Sequence, residues 1–206
     1  MSIDIRIIGV PERMDNILQT KELLNVRDEN IFIDEYHLGL LQNAGKAWLK
    51  PTDATHVMVL QDDIILCNGF LDYCEKIVSM FSELIISLFP IQFINRKVVG
   101  RLPKSPYILT NELSGCGIIM KREYIYPCVL SWNDDLYGDD VNIQAWAKRN
   151  WIGILTTIPS LIQHIGIQSV FDNSRSLGSF WDFREDPSEV DWDNKYVTNW
   201  TNIVKR

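Results

Sequence analysis

The hydrophobic positions of this chain change period several times, and each change marks an element. Ile3 to Ile8 alternates and then runs apolar, as a first strand does, and stops at the turn Gly9-Val10-Pro11-Glu12-Arg13. Asp15 is placed to cap a helix carrying Ile17, Leu18 and Leu24. Asn30 to Asp34 predicts a second short strand. Leu38, Leu41, Gly45 and Trp48 then recur at helical spacing until Pro51. Val57 to Leu60 is a continuous, β-branched apolar run, the signature of a buried strand, and it ends in Asp62 and Asp63. The first third thus predicts β-α-β-α-β with short links, hence a parallel sheet covered by helices on both faces.

The pattern continues with a second apolar run, Ile64 to Leu66, and a helix with Phe70, Cys74, Ile77, Val78 and Phe81 on one stripe. Leu84 to Phe89 predicts a strand. Pro90 to Pro106 is irregular and basic. Ile108 to Met120 contains a strand-like run from Gly117 to Met120, preceded by Ser114-Gly115-Cys116. Lys121 to Val129 predicts a short helix broken by Pro127. After the acidic loop Asn133 to Asp140, Asp139 is placed to cap a helix over Val141 to Arg149. Trp151 to Ile158 predicts a further strand, followed by Pro159 to Gly166. From Asn173 the aliphatic content falls, which predicts a tail that wraps the domain or covers a cleft.

Composition narrows the class. With 206 residues, 46% hydrophobic and 23% charged, the chain predicts one globular α/β domain with a sizeable core. No apolar run has the length of a membrane span, and the N-terminus lacks the marks of a signal peptide, so a cytoplasmic protein is expected. Cys67, Cys74, Cys116 and Cys128 lie in apolar surroundings without metal-type spacing, which predicts reduced, buried thiols. The net charge of −7 argues against a general nucleic-acid surface. Arg96, Lys97, Arg101 and Lys104 form one local basic cluster, either a solvated loop or a contact for an anionic acceptor or for phosphates.

The GxGxxG and P-loop motifs of nucleotide folds are absent, and so is a GxSxG nucleophile elbow. The remaining chemistry is acidic, with one notable histidine. Asp62 and Asp63 at a strand tip repel each other unless a cation lies between them or water surrounds them. Mg or Mn held by one or two carboxylates, with phosphate and water completing the shell, is one solution, and helix-capping turn acids are the other. Asp134, Asp135, Asp139 and Asp140 precede a helix, where they either cap it or present a general base. His164 is either a structural residue of a strand end or an imidazole ligand, a type that suits Mn.

In this order, these segments resemble glycosyltransferases of the GT-A fold. Gln61-Asp62-Asp63, after Val57 to Leu60, is similar to the xDD form of their DxD motif. Ser114-Gly115-Cys116-Gly117 resembles the small-residue segment that lies close to the donor sugar. Leu136-Tyr137-Gly138-Asp139-Asp140-Val141 resembles the segment that carries the base of inverting members, with Tyr137 and Asp139 in place of the usual Trp and Glu. Pro159 to Gly166, followed by Ser169, is similar to the segment whose His completes the metal site.

The resemblance covers about residues 1–170 and implies a single domain. Its nucleotide-binding half would span 1–66, its acceptor and catalytic half 107–170 and its tail 171–206. It implies transfer of a sugar from a nucleoside diphosphate sugar, a UDP-sugar foremost, to an acceptor hydroxyl. Mn or Mg would be held by Asp63 and His164 with Asp62 nearby, and Asp140 would serve as the base. Val10, Pro11, Arg13, Asp34, Gln61, Asp62, Gly115, Cys116 and Ser169 would face the donor. Tyr137, Asp139 and Arg101 would face the acceptor, a glycan or a modified DNA base of the kind a phage enzyme would use in the bacterial cytoplasm. Retention is the alternative stereochemistry. A sugar nucleotidyltransferase, or a nucleotide-sugar-binding protein without catalysis, is the alternative function.

Overall fold

A computed structural model describes residues 1–90, 106–136, 138–165 and 190–194, and the backbone of 197–199. Ten strands are described: β1 (Ile3–Gly9), β2 (Ile31–Ile33), β3 (His56–Gln61), β4 (Ile64–Leu66), β5 (Ile85–Ser87), β6 (Tyr107–Thr110), β7 (Gly117–Lys121), β8 (Ile154–Thr157), β9 (Ile162–His164) and β10 (Val197–Asn199). Five α-helices accompany them: α1 (Met14–Leu24), α2 (Leu40–Leu49), α3 (Phe70–Met80), α4 (Arg122–Val129) and α5 (Asp139–Arg149). Eight strands form one sheet in the order β10-β6-β8-β5-β7-β3-β1-β2, and β4 and β9 pair separately. Parallel pairings outnumber antiparallel ones in the large sheet, which meets the expectation of a mostly parallel α/β sheet flanked by helices.

Strand periodicity builds the two layers of core. Successive residues point to opposite faces. Ile7, Met58, Leu60, Ile86, Ile119 and Leu155 therefore pack under α1 and α3, against Ile17, Leu24, Phe70, Cys74, Ile77 and Val78. Their chain neighbours Ile8, Val57, Val59, Ile85, Ile118, Met120 and Ile154 pack on the other face. There they meet Ala44, Ala47 and Trp48 of α2, Ile125 and Cys128 of α4, and Ile143, Trp146 and Ala147 of α5. Each fully buried aliphatic side chain contributes about 1.5–3 kcal/mol, so a polar residue at any of these strand positions would destabilise one whole face.

Several sequence expectations shift. Asp15 lies inside the first turn of α1, whose N-cap is Arg13, and Leu18 is exposed. Helix α2 begins only after Gly39 (φ 113°), because both oxygens of Asp34 accept the amides of Leu38 and Gly39 and hold the preceding loop. Leu38 is consequently exposed, and the buried face is Asn43, Ala44, Ala47 and Trp48. Pro127 sits within α4 without breaking it. Both Pro127 and Glu123, whose carbonyl loses its helical donor, are exposed, so water can serve that carbonyl.

Tyr107 to Thr110 forms a strand that the pattern did not single out, between β8 and β10. Trp151 is exposed and the last inner strand is Ile154–Thr157. Of the tail, Val190 packs against the first core layer and Trp192 belongs to it. Val197 to Asn199 runs parallel to β6 at the sheet edge. Among the described residues no helix is long and apolar enough to cross a membrane. The basic cluster at Arg96 to Lys104 lies outside the described residues.

A buried arginine joins the first strand to α2. The Arg6 side chain is fully buried. It donates to the carbonyls of Ala47, Trp48 (3.0 Å) and Lys50 (2.8 Å), and pairs with Asp4 Oδ2 at 2.7 Å. The carbonyls at the end of a helix lack partners within it. Here a guanidinium supplies them, and α2 is locked in place with Trp48 beneath the sheet.

Candidate functional site: an acidic edge at the strand tips

Strands β1, β2 and β3 run parallel, so their C-terminal ends share one edge of the sheet, the usual place for a site in open α/β folds. Strand β7 runs antiparallel to β3, with Gly117 opposite Leu60, so its N-terminal approach, Ser114 to Cys116, reaches the same edge. The Gln61 amide donates to the Cys116 carbonyl at 3.1 Å and fixes that meeting.

Asp62 and Asp63 follow β3 and are both buried. Asp62 Oδ2 accepts the Val10 amide at 2.8 Å, and Oδ1 accepts Arg13 Nη1 at 2.9 Å. The same Arg13 nitrogen is 2.6 Å from Asp63 Oδ2. Close approach of Asp62 to the first turn depends on Gly9: a Cβ there would lie 2.5 Å from Asp62 Oδ2. This glycine is a determinant of the site that sequence reading treated only as part of a turn. Its position between a strand and Val10-Pro11 was the one available signal.

His164 reaches this cluster through the small sheet. Pairing of β4 with β9 sets Ile64 opposite His164, and the Ile165 amide donates to the Asp63 carbonyl at 2.8 Å. His164 Nε2 is then 3.0 Å from Asp63 Oδ2. The two acids respond differently to burial. Burial pushes Asp62 up, and its bonds to Val10 and Arg13 only partly offset this. Burial also acts on Asp63, but the hydrogen bond and charge of His164, and then Arg13, outweigh it and hold that carboxyl below its usual range.

Asp63 Oδ1 is buried and has no hydrogen-bond partner. A buried carboxylate oxygen without a partner is costly unless something else binds it. With the His164 imidazole alongside, it offers one hard oxygen and one nitrogen donor, a set that fits Mn or Mg sharing its shell with phosphate and water. Among the described residues no group of three or more His, Cys, Asp or Glu side chains is arranged to hold a metal. The described residues would therefore supply only part of the coordination.

Asp140 stands apart from these acids, in the first turn of α5. Its Oδ2 accepts the Gly115 amide at 3.1 Å, and its Oδ1 accepts the Val141 amide at 2.8 Å. Gly138 (φ 92°) permits the turn, and a Cβ there would lie 2.5 Å from Asp140 Oδ1. Burial pushes the Asp140 carboxyl up, and the Val141 and Gly115 amides oppose it. At Gly115 a Cβ would come 3.0 Å from Gln61 Nε2 and 3.4 Å from Asp140 Oδ2, so this glycine brings Gln61 and Asp140 together. Cys116, beside it, feels the charges of both Asp63 and Asp140; burial is the larger cause that pushes its thiol up to about 12. That thiol stays protonated and unreactive.

Asp139, expected on the acceptor side, is instead buried at 1% exposure. Its Oδ2 accepts Trp48 Nε1 at 3.0 Å, and its Oδ1 has no hydrogen-bond partner. Burial, then the charge of Asp140, push its carboxyl up to about 6, with the Trp48 bond opposing. It lies buried beneath the edge, tied to α2 through Trp48. Trp48 entered the sequence reading only as a core residue of α2. Asp34, expected near the nucleotide, is buried, with both carboxylate oxygens taken by its own loop. Pro11 is exposed beside Val10. Tyr137, Arg101 and Ser169 lie outside the described residues.

No family model and no curated protein matches the chain. Solved structures do show a likeness. The crystal structure of the catalytic domain of Drosophila β1,4-galactosyltransferase 7 in complex with xylobiose aligns over 94% of this chain and 84% of that one. The identity is 9% and the TM-score 0.46. A mutant of the same enzyme, in complex with manganese, UDP-Gal and xylobiose, aligns over 92% of this chain and 83% of that one, at 10% identity and a TM-score of 0.41.

Proposed function

We propose that the chain is a metal-dependent glycosyltransferase of the GT-A type. It would move a sugar from a nucleoside diphosphate sugar, a UDP-sugar foremost, to an acceptor hydroxyl with inversion at the anomeric carbon. One observation carries this reading: the strand-tip edge holds two separate acidic stations. Asp63, with its unpartnered Oδ1, stands next to His164 and Arg13. Asp140 is held independently by the Gly115 and Val141 amides, and both stations border Cys116. Sugar transfer from a diphosphate needs both: charge compensation for the leaving group, and a base for the attacking hydroxyl.

In this reading Asp63 and His164 would hold Mn or Mg, with Asp62 close by. The bound ion would supply compensation for the charge that grows on the departing diphosphate. Arg13 adds a cation on the same side. Gly115, lacking a side chain, lets Gln61 and Asp140 approach each other at the edge where the donor sugar would lie. Asp140 takes the proton of the acceptor hydroxyl as that oxygen attacks the anomeric carbon opposite the leaving group. Burial makes its carboxylate a better base than a solvated one, and the two amides hold its orientation. Ser169 is assigned to the donor side, Tyr137 and Arg101 to the acceptor side, and the acceptor to a glycan or a modified DNA base in the cytoplasm.

A thermal-shift screen of nucleotide sugars, with and without Mn, tests the class. A specific rise in Tm with one UDP-sugar, larger with Mn than without, is the expected result. No response to any nucleotide sugar would overturn it, as would pyrophosphate release from a nucleoside triphosphate and a sugar phosphate.

A further inference from the structure

Arg13 is bound more tightly to the acids than a donor-facing residue requires. One nitrogen of its guanidinium bridges Asp62 Oδ1 at 2.9 Å and Asp63 Oδ2 at 2.6 Å, and its side chain is only 10% exposed. The Val10 amide takes Asp62 Oδ2, and His164 Nε2 shares Asp63 Oδ2. Three of the four carboxylate oxygens are thus engaged by protein donors, and only Asp63 Oδ1 is left. A positive charge already sits where the proposed function places that of a divalent ion. A guanidinium and a divalent cation repel each other strongly at such range in a poorly solvated site. Full ion binding therefore requires Arg13 to leave.

The local structure allows that departure. The Arg13 backbone is pinned by the hydrogen bond its amide donates to the Val10 carbonyl at 3.1 Å, in a single 3-10 turn over Pro11–Arg13. Exchange moves the side chain and leaves this backbone turn in place. Guanidinium groups pair with phosphate oxygens by the same forked geometry that they use with carboxylates. We propose that Arg13 is a placeholder cation. Without a donor it neutralises Asp62 and Asp63; an arriving diphosphate draws the guanidinium off the acids, so the divalent ion loads together with the donor and not before it. This inference rests on the donor-site reading above.

Calorimetric titration tests it on the whole chain, with MnCl2 and UDP as the ligands. In the wild type, Mn alone should bind weakly and UDP should raise Mn affinity at least tenfold. Arg13→Gln should bind Mn without UDP at least tenfold more tightly than the wild type, and UDP should add little further. Arg13→Lys, which keeps the charge but not the fork, should fall between them. Should Arg13→Gln not fold, the wild type still decides: with EDTA present, UDP should bind at least tenfold more tightly than uridine, because the released guanidinium meets the diphosphate. UDP-promoted Mn binding in the wild type, with Mn affinity unchanged in both Arg13 variants, would overturn the placeholder role alone. Equal affinity for UDP and uridine in EDTA would do the same. Failure to bind UDP and Mn in any combination would overturn the donor-site reading and this inference with it.

Discussion

The indole of Trp48 donates to Asp139 at 3.0 Å, so the helix between β2 and β3 holds the residue just before Asp140. Trp48 is 1% exposed and is itself held by Arg6, which binds the carbonyls that close α2. The candidate base is therefore positioned by side chains from three elements, of which only α5 is its own.

This pair predicts a pH-dependent stability. Asp139 has a folded-state pKa of about 6, above that of an unfolded aspartate. The folded protein thus binds the extra proton between about pH 4 and pH 6, and stability falls as pH rises through that window. Asp139→Asn removes the charge and should be more stable than the wild type at pH 7.5, by about 2–3 kcal/mol at most. The two proteins should converge near pH 4. Denaturant melts across this range check it; a constant difference would refute the assignment. Asp62 is common to both proteins, and the difference reports Asp139 together with its charge coupling to Asp140.

Asp140→Asn should lower sugar transfer by roughly 100- to 10,000-fold, the usual contribution of a general base. Donor affinity, measured by calorimetry with Mn present, should stay within about threefold. Equal loss of both would move the base elsewhere.

Gly9→Ala is the most local test of the acid pair. The added Cβ would lie 2.5 Å from Asp62 Oδ2, so the carboxylate must give up its bond to Val10. Overpacking of this kind costs about 1–3 kcal/mol. We expect a lowered Tm together with loss of UDP binding. A folded variant with wild-type UDP affinity would show that Asp62 need not sit where it does.

His164→Ala removes the group that most lowers the Asp63 pKa and leaves the β4–β9 backbone pairing in place. The extra Tm rise that Mn brings to the UDP complex should disappear, while UDP alone should still bind. An undiminished Mn effect would exclude His164 as a ligand.

Tyr107→Phe addresses the tail. The Tyr107 hydroxyl donates to the Trp192 carbonyl at 2.6 Å, and Trp192 stacks on Tyr73 with ring centroids 5.3 Å apart. Loss of that bond should cost about 1 kcal/mol, read as a lower denaturation midpoint with an unchanged slope.

Long strongly periodic segments were legible in the sequence for a simple reason. Helix α3 and strand β3 each bury a face whose residues are large and apolar, and those dominate any hydropathy pattern. Helix α2 was legible as a helix but not in its facing, because its buried stripe includes Asn43, Ala44 and Ala47, which are polar or small. Asn43 earns its place by donating to the Phe32 carbonyl at 2.8 Å, a partner on another element. Strand β6 escaped notice because its short run draws its support from β8 and β10, far along the chain.

At the site, Asp62 and Asp63 stood out because ionisable groups at the end of an apolar run are conspicuous, and Asp140 stood out through the resemblance of its acidic segment. Asp139 was conspicuous too, but its neighbour is Trp48, and no local pattern joins residues so far apart. Its bond to Trp48 therefore became visible only in three dimensions. The same holds for Gly9, whose lack of a side chain matters only because Asp62 returns to it from the end of β3.

The small β4–β9 sheet has a kinetic consequence. It ties His164 to Asp63 across about a hundred residues of intervening chain, a closure costing on the order of 4 kcal/mol in chain entropy. Three residue pairs cannot meet that cost by themselves, so the large sheet must assemble first and bring the ends near. During synthesis, residues 1–66 emerge long before β9, so the Asp63–His164 pair stays open until β9 has left the ribosome. Competence to bind donor should consequently appear as a late, abrupt event in folding, well after most of the helical signal has formed.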